Sequence, residues 1–453
     1  MTNKINLNFL LIFLLTIVFL FIFVIEVIFF LPSPTGDDLW FLKLTFNICR
    51  DNSFVATDHS IFNYYSISLP WTTHGWLGQY VSAKLNLNCS IRALFLISFF
   101  TKLLTSLTIY LIFKKNNLNS IYKYFLIFFT LVVQLKLQFR PEAFCILIYF
   151  LLIYNFTKNN FFTSGIILTC LFFIQPSIFI FVFLFGIIIF FKKILKNLTY
   201  IFIGILISLV FILYIYPYSL EEFVLGLWNH RSANLGANTF LESGFSNQFK
   251  IDFLKHYLLT TYLPFFSILF FLTYMHLIFK DKLLILLFPF VFFFGLNIPT
   301  ANYNIISITP FCLFFSIFLY KKKISYTKFI PILISFSLIV SSLGFAQYFL
   351  RNSLTALKFS NEFNLTKKFL LMNINNIDTF PGFAFLMDEK LKFVSIGSDQ
   401  DKKIDRKLKV FAINGLNPPC NQEMYAKNNY QPVKIFSKKI FNSNSGYGIW
   451  LCK

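Results

Sequence analysis

Apolar runs of about twenty residues recur along the first 350 residues of this chain, and nothing else constrains its fold so tightly. Crossing roughly 30 Å of hydrocarbon takes roughly 20 such residues. A backbone inside lipid must satisfy its own hydrogen bonds, so each run is expected to be a helix. Long runs lie at 9–31, 91–113, 122–139, 198–216, 257–279, 302–320 and 328–349, with shorter ones at 143–156, 161–174, 177–191 and 283–296. Composition agrees: 57% of the 453 residues are hydrophobic and only 13% are charged, which excludes an ordinary soluble domain.

The net charge of +21 would suggest a nucleic-acid partner in a soluble protein, but its placement argues against one here. Lys114-Lys115, Lys158, Lys192-Lys193, Lys196, Lys280, Lys282 and Lys321 to Lys323 all sit in short connections between apolar runs, where Asp281 is the one acid. Cationic short loops stay on the cytoplasmic side. Lys158 and Lys192 must then be separated by an even number of crossings, so 161–174 and 177–191 are read as two short helices turning at Gln175-Pro176. The first run is too long for a signal-peptide core and lacks a small-residue cleavage site, so it is expected to remain as the first helix.

These expectations define a polytopic α-helical membrane protein of about eleven transmembrane helices in the plasma (inner) membrane, N-terminus cytoplasmic. Residues 1–350 form the membrane domain, with large external loops at 32–90 and 217–256. Residues 351–453 are expected outside as a small extracytoplasmic C-terminal α/β domain, because Phe383 to Leu386 and Lys409 to Ile413 read as short buried segments between Gly and Pro breaks. Cys49 and Cys89 share the first external loop, and Cys420 and Cys452 share the tail. Both pairs suit disulfides in an oxidising exterior, while Cys145, Cys170 and Cys312 lie within spans. Sequence leaves open whether any of the seven is paired.

The polar residues that packing explains least stand at the ends of these runs. Pro32 and Pro34 stop the first run, and Gly36-Asp37-Asp38 follows at once. Two neighbouring carboxylates repel, which raises one pKa and suits it to act as a base near neutral pH. The same loop closes on Thr73-His74-Gly75-Trp76-Leu77, where His74 could donate to a phosphate or sugar oxygen and the tryptophans could be interface anchors. Lys136 and Arg140 are spaced to share one helical face at the end of the 122–139 run, with Glu142 beside them. Such a pair can hold a phosphate or snorkel to the headgroups. His230-Arg231 in the second loop is a further candidate phosphate contact, or a solvated surface pair. Glu26 and Lys102 are isolated charges within the first two spans, and a structural ion pair is the expected outcome. No P-loop, dinucleotide fingerprint, zinc spacing or nucleophile elbow occurs, so no nucleotide cofactor is expected.

This layout resembles the GT-C superfamily of integral-membrane glycosyltransferases, which includes protein O-mannosyltransferases and the lipid A aminoarabinose transferase. The resemblance rests on Gly36-Asp37-Asp38 after the first span, Thr73 to Leu77 before the second, Arg140-Pro141-Glu142 at the next external turn, and the irregular middle spans. Departures are Asp-Asp where many members have Asp-Glu, no second Asp-x-Asp, and no Arg beside Tyr303 in Ala301 to Pro310. The resemblance implies transfer of a sugar from a polyprenyl-phosphate-linked donor to an acceptor lipid, glycan or protein at the outer face. In that reading Asp37 is the general base, and Asp38 or Glu142 orients the acceptor or holds a divalent cation if one is used. Lys136, Arg140, His74 and Arg231 with His230 bind the donor phosphate. A transporter, flippase or polymerase-like protein for lipid-linked glycans is the competing expectation, and Glu26 with Lys102 is its best argument.

Overall fold

The computed structural model describes residues 7–28, 38–52, 54, 75–118, 120–217, 219, 221, 263–288, 301–320, 330–343, 376–379, 392–393, 410–414, 432–439 and 446–452. The chain folds as a helical membrane protein. Among the described residues, five helices are long and apolar enough to cross a membrane: Asn8–Ile28, Arg92–Lys115, Pro141–Lys158, Pro176–Lys196 and Leu198–Ile215. Shorter apolar helices occupy Phe161–Ile174, Phe265–Lys280, Asn304–Leu319 and Ile330–Leu343.

In chain order, α1 is Leu7–Phe23 and continues as a π-helical turn, Val24–Ile28. Then come α2 (Asp38–Asp51), α3 (Leu77–Leu85), α4 (Ile91–Lys115), α5 (Ser120–Lys136) and α6 (Pro141–Lys158). They are followed by α7 (Phe161–Ile174), α8 (Pro176–Lys196), α9 (Leu198–Ile215), α10 (Leu263–Lys280), α11 (Ala301–Tyr320) and α12 (Ile330–Leu343).

Local chemistry explains the boundaries. Pro141 and Pro176 each stand at a helix start, where a missing N–H costs nothing and the fixed φ is already helical. Ser90 caps α4 by accepting from the Arg92 N–H at 3.2 Å. Asn159 ends α6 in the left-handed region, φ 61°.

Several expected spans are redrawn. The run at 143–156 is a longer helix of 18 residues, because it continues through a polar end as far as Lys158, whereas the run at 177–191 ends at a kink, Phe190 φ −115° and ψ 18°, beyond which helical structure resumes as far as Lys196. The run at 122–139 stops as a helix at Lys136. The run at 283–296 opens as a 3-10 helix, Lys282–Leu287, and 289–296 lie outside the described residues. The stretch 32–90, expected as a loop, contains two helices, α2 and α3. The disulfide Cys49–Cys89, Cα–Cα 5.7 Å, ties the end of α2 to the turn after α3.

The core is built from tilted and edge-on phenylalanines around α11. Phe185 of α8 and Phe311 of α11 each have their ring centroids 4.8 Å from that of Phe315 or, for the first pair, 5.0 Å from one another. Tyr149 of α6 donates to the Ser307 carbonyl at 2.9 Å, joining α6 to α11. Helices α7 and α9 meet through glycine: a Cβ on Gly165 would strike the Ile201 carbonyl, and one on Gly204 the Phe162 carbonyl. Small residues at such a crossing let backbones approach where lipid gives no hydrophobic drive to associate. Phe9 on α1, and Val210, Phe211 and Tyr214 on α9, are exposed, as a lipid-facing surface requires.

In the C-terminal segment, backbone strands β1 (Asn376–Thr379), β2 (Lys392–Phe393), β3 (Val410–Asn414), β4 (Pro432–Lys439) and β5 (Gly446–Cys452) form one sheet of order β2-β1-β3-β5-β4. β1 pairs in parallel with β2 and β3, and β5 runs antiparallel to both β3 and β4. β3 coincides with the run expected at 409–413, whereas Phe383 to Leu386 and Cys420 lie outside the described residues.

Candidate functional site

The turn between α5 and α6 gathers the polar residues. Helix α5 ends at Lys136, and Arg140 is already the N-cap of α6, with its N–H donating to the Leu137 carbonyl at 2.9 Å. Lys136 and Arg140 therefore do not share a helical face, because the chain leaves the helix between them. Lys136 is half-buried, with its Nζ 5.4 Å from the Phe266 ring centroid on α10. Arg140 is only 1% exposed, so it does not snorkel. Its Nε donates to Glu142 Oε2 at 3.3 Å, and its Cζ lies 5.2 Å from the Phe41 ring centroid on α2.

Glu142 is fully buried and links two further elements. Its Oε1 accepts from Gln175 Nε2 at 3.4 Å, at the break between α7 and α8. The same Nε2 donates to Asn304 Oδ1 of α11 at 3.1 Å, and Ser177 Oγ donates to that oxygen at 3.4 Å. Arg140, Glu142, Gln175, Ser177 and Asn304 thus form one hydrogen-bonded cluster drawn from four helix ends. Neither Gln175 nor Asn304 stood out as a binding residue in the sequence. The Gln-Pro break was visible, but that its side chain faces Glu142 is a tertiary fact.

Two more segments meet this cluster. Gly75 has φ +70° and packs on the end of α7, where a Cβ would collide with the Phe173 and Ile174 carbonyls, one residue short of Gln175. Trp76, next in sequence, is fully buried, stacked on Tyr216 at 5.0 Å and edge-on to Phe54 at 5.3 Å. It is a core residue, which corrects its reading as an interface anchor. Helix α2 lies over the turn. Its Phe41, Leu44, Thr45 and Ile48 are buried at i, i+3, i+4 and i+7, and Leu42 joins Leu94, Phe95 and Phe139 in a small apolar cluster. That periodicity was legible in the sequence.

Ser98 Oγ of α4 donates to the Gln138 carbonyl at 3.4 Å, which sets Gln138 level with Ser98. Helix α4 continues from there to its start at Ile91, about 10 Å further at 1.5 Å per residue. The Arg140 cluster is buried beside α2, whose Phe41 ring lies against the Arg140 guanidinium.

Asp38 is the first residue of α2, one turn from Phe41. Asp37, His74, His230 and Arg231 lie outside the described residues, as does the side chain of Asp38.

A second polar group lies beside the first. Glu26, in the π-helical turn, and Lys102, midway along α4, pair at 2.7 Å with side chains 0% and 1% exposed. Gln138 Nε2 donates to Glu26 Oε1 at 2.9 Å, and Lys102 Nζ donates to Ser98 Oγ at 2.6 Å. The expected ion pair is present, and single π-turns of this kind occur frequently at functional sites. Among the described residues no group of three or more His, Cys, Asp and Glu gathers as a metal site. No protein-family model, curated protein or solved structure matches this chain.

Proposed function

We propose that this protein is an inverting glycosyltransferase. It would move a sugar from a polyprenyl-phosphate-linked donor to an acceptor lipid, glycan or protein at the outer face of the membrane. One observation carries the reading. Three segments singled out along the sequence, namely the helix opened by Asp38, the turn at Gly75 and Arg140-Pro141-Glu142, meet around a single buried cluster that Asn304 completes.

The acceptor hydroxyl gives its proton to the Asp37 carboxylate as its oxygen attacks the anomeric carbon. The bond from that carbon to the phosphate oxygen breaks with inversion, and the lipid phosphate leaves with the electron pair. Charge building on the phosphate calls for preplaced cationic donors, a role assigned to Arg140 and Lys136, with His74 and His230-Arg231 as further contacts. Asp38 and Glu142 orient the acceptor, or hold a divalent cation if the reaction uses one. The same proposal has eleven spans in the plasma membrane, the N-terminus inside, and the segment after residue 350 outside as an α/β domain beside the site.

Membranes carrying wild-type protein or Asp37→Asn, supplied with labelled polyprenyl-phosphate sugars, test this. Transfer by the wild type that Asp37→Asn reduces at least about 100-fold, at equal membrane content, is the expected result. Undiminished transfer by the variant would overturn the role of Asp37. No transfer across a broad donor and acceptor panel would favour the second reading, a transporter or flippase for lipid-linked glycans. The buried Glu26–Lys102 pair supports that alternative, since intramembrane charges often line a transport route.

A further inference from the structure

Between α4, α5 and the first turn of α6 lies a cavity of about 10 Å³, lined by Ser98, Thr101, Lys102, Gln134 and Gln138 and walled on an apolar side by Ala143. That volume holds the centre of about one water molecule. The chemistry of its walls specifies what can occupy it.

Gln134 donates its Nε2 to Thr105 Oγ1 at 2.9 Å and to the Ala143 carbonyl at 3.2 Å. Thr105 gives its own proton to the Thr101 carbonyl at 2.7 Å, so it can only accept from Gln134. Gln138 donates its Nε2 to the Glu26 carboxylate. Both amides are thereby oriented by acceptors, and a flip would set oxygen against oxygen. Their carbonyl oxygens, Gln134 Oε1 and Gln138 Oε1, are buried with no hydrogen-bond donor among the described residues, and Glu26 Oε2 shares that state. Apart from the second Nε2 proton of Gln138, the donors along the wall are already used. Lys102 Nζ reaches Glu26 Oε1 and Ser98, Ser98 reaches the Gln138 carbonyl, and Thr101 reaches the Ile97 carbonyl.

The site therefore lacks donors, not acceptors. A metal cation would satisfy the oxygens but would add an uncompensated charge beside Lys102, whose own charge Glu26 already balances. A neutral molecule with two O–H donors and the size of this cavity satisfies the two amide oxygens without adding charge.

We infer that the cavity is a binding site for one structural water, which donates to the carbonyl oxygens of Gln134 and Gln138. The water completes a continuous hydrogen-bonded seam. The seam runs from the Glu26–Lys102 pair through Gln138 and Gln134 to the Ala143 carbonyl, one residue beyond Glu142. The membrane-embedded pair and the buried Arg140 cluster are then parts of one polar structure, whatever reaction that cluster serves.

Two measurements on the full chain test the site. In a lipid-nanodisc cryo-EM map that resolves ordered waters elsewhere in the bundle, density is expected in the cavity within hydrogen-bond distance of the two amide oxygens. A well-resolved cavity with no density overturns the inference. Thermal unfolding of Ala143→Val and Ala143→Thr gives a sign. Both side chains have the same shape, and both would expel the water, but only Thr brings a replacement donor. Val is expected to lower Tm, with Thr restoring at least half of that loss. A rise in Tm with Val means that a dry void has been filled, and equal losses with Val and Thr mean crowding alone. Either outcome overturns the water site.

Discussion

Glu26 Oε1 and Lys102 Nζ meet at 2.7 Å between the π-helical turn after α1 and the middle of α4, both side chains shut away from solvent. Neither residue can be removed alone without leaving the other as a buried charge with no opposite charge beside it. Glu26→Gln or Lys102→Met is expected to cost about 3–5 kcal/mol of stability, and the double variant much less than the sum of the two. Thermal unfolding of the four proteins in detergent measures this. Additive losses would mean that the pair is not coupled.

Gly75 holds a left-handed φ of +70° against the end of α7, with the Phe173 carbonyl where a Cβ would be. Gly75→Ala is therefore opposed twice, by backbone conformation and by collision. A destabilisation of about 1–3 kcal/mol is expected. Because the collision pushes the turn away from Gln175, transfer activity in the proposed reaction is expected to fall further than stability alone accounts for. Comparing labelled-sugar transfer with the folded fraction, at one temperature, separates the two effects.

The Cys49–Cys89 bond closes a loop over a sequence separation of 40 residues and anchors α2 over the Arg140 turn. Cys49→Ser with Cys89→Ser is expected to cost about 2–5 kcal/mol. Cys89 should be protected from maleimide until a reductant is added. Immediate labelling of Cys89 in untreated, folded protein would show the bond absent.

Much of this molecule could be read in advance from its linear pattern. The run of apolar residues announces α1, α4 and α9. The Gln175-Pro176 break marks the turn between α7 and α8, since proline starts a helix more readily than it continues one. The lone charges at Glu26 and Lys102 anticipate each other, because lipid tolerates an ion mainly in company. Helix α2 was read as part of the loop at 32–90, although Phe41, Leu44, Thr45 and Ile48 carry the i, i+3, i+4, i+7 spacing of a one-sided helix, because 14 residues are too few to cross a membrane. Lys136 and Arg140 misled, because a four-residue spacing implies a shared face only while the helix lasts, and α5 ends at the first of them.

The sequence by itself determined that this chain enters a membrane as helices. Hydrocarbon offers the backbone no hydrogen-bond partner, so length and apolarity decide the matter locally, residue by residue. Only the tertiary structure decided which polar side chains meet. Gln175 reaches both Glu142 and Asn304, which stand 33 and 129 residues away along the chain. A buried amide has no preference for sequence distance. It bonds to whatever donor or acceptor the packing of helices brings within about 3 Å, and that packing is set by the phenylalanines and glycines between helices rather than by the polar residues themselves.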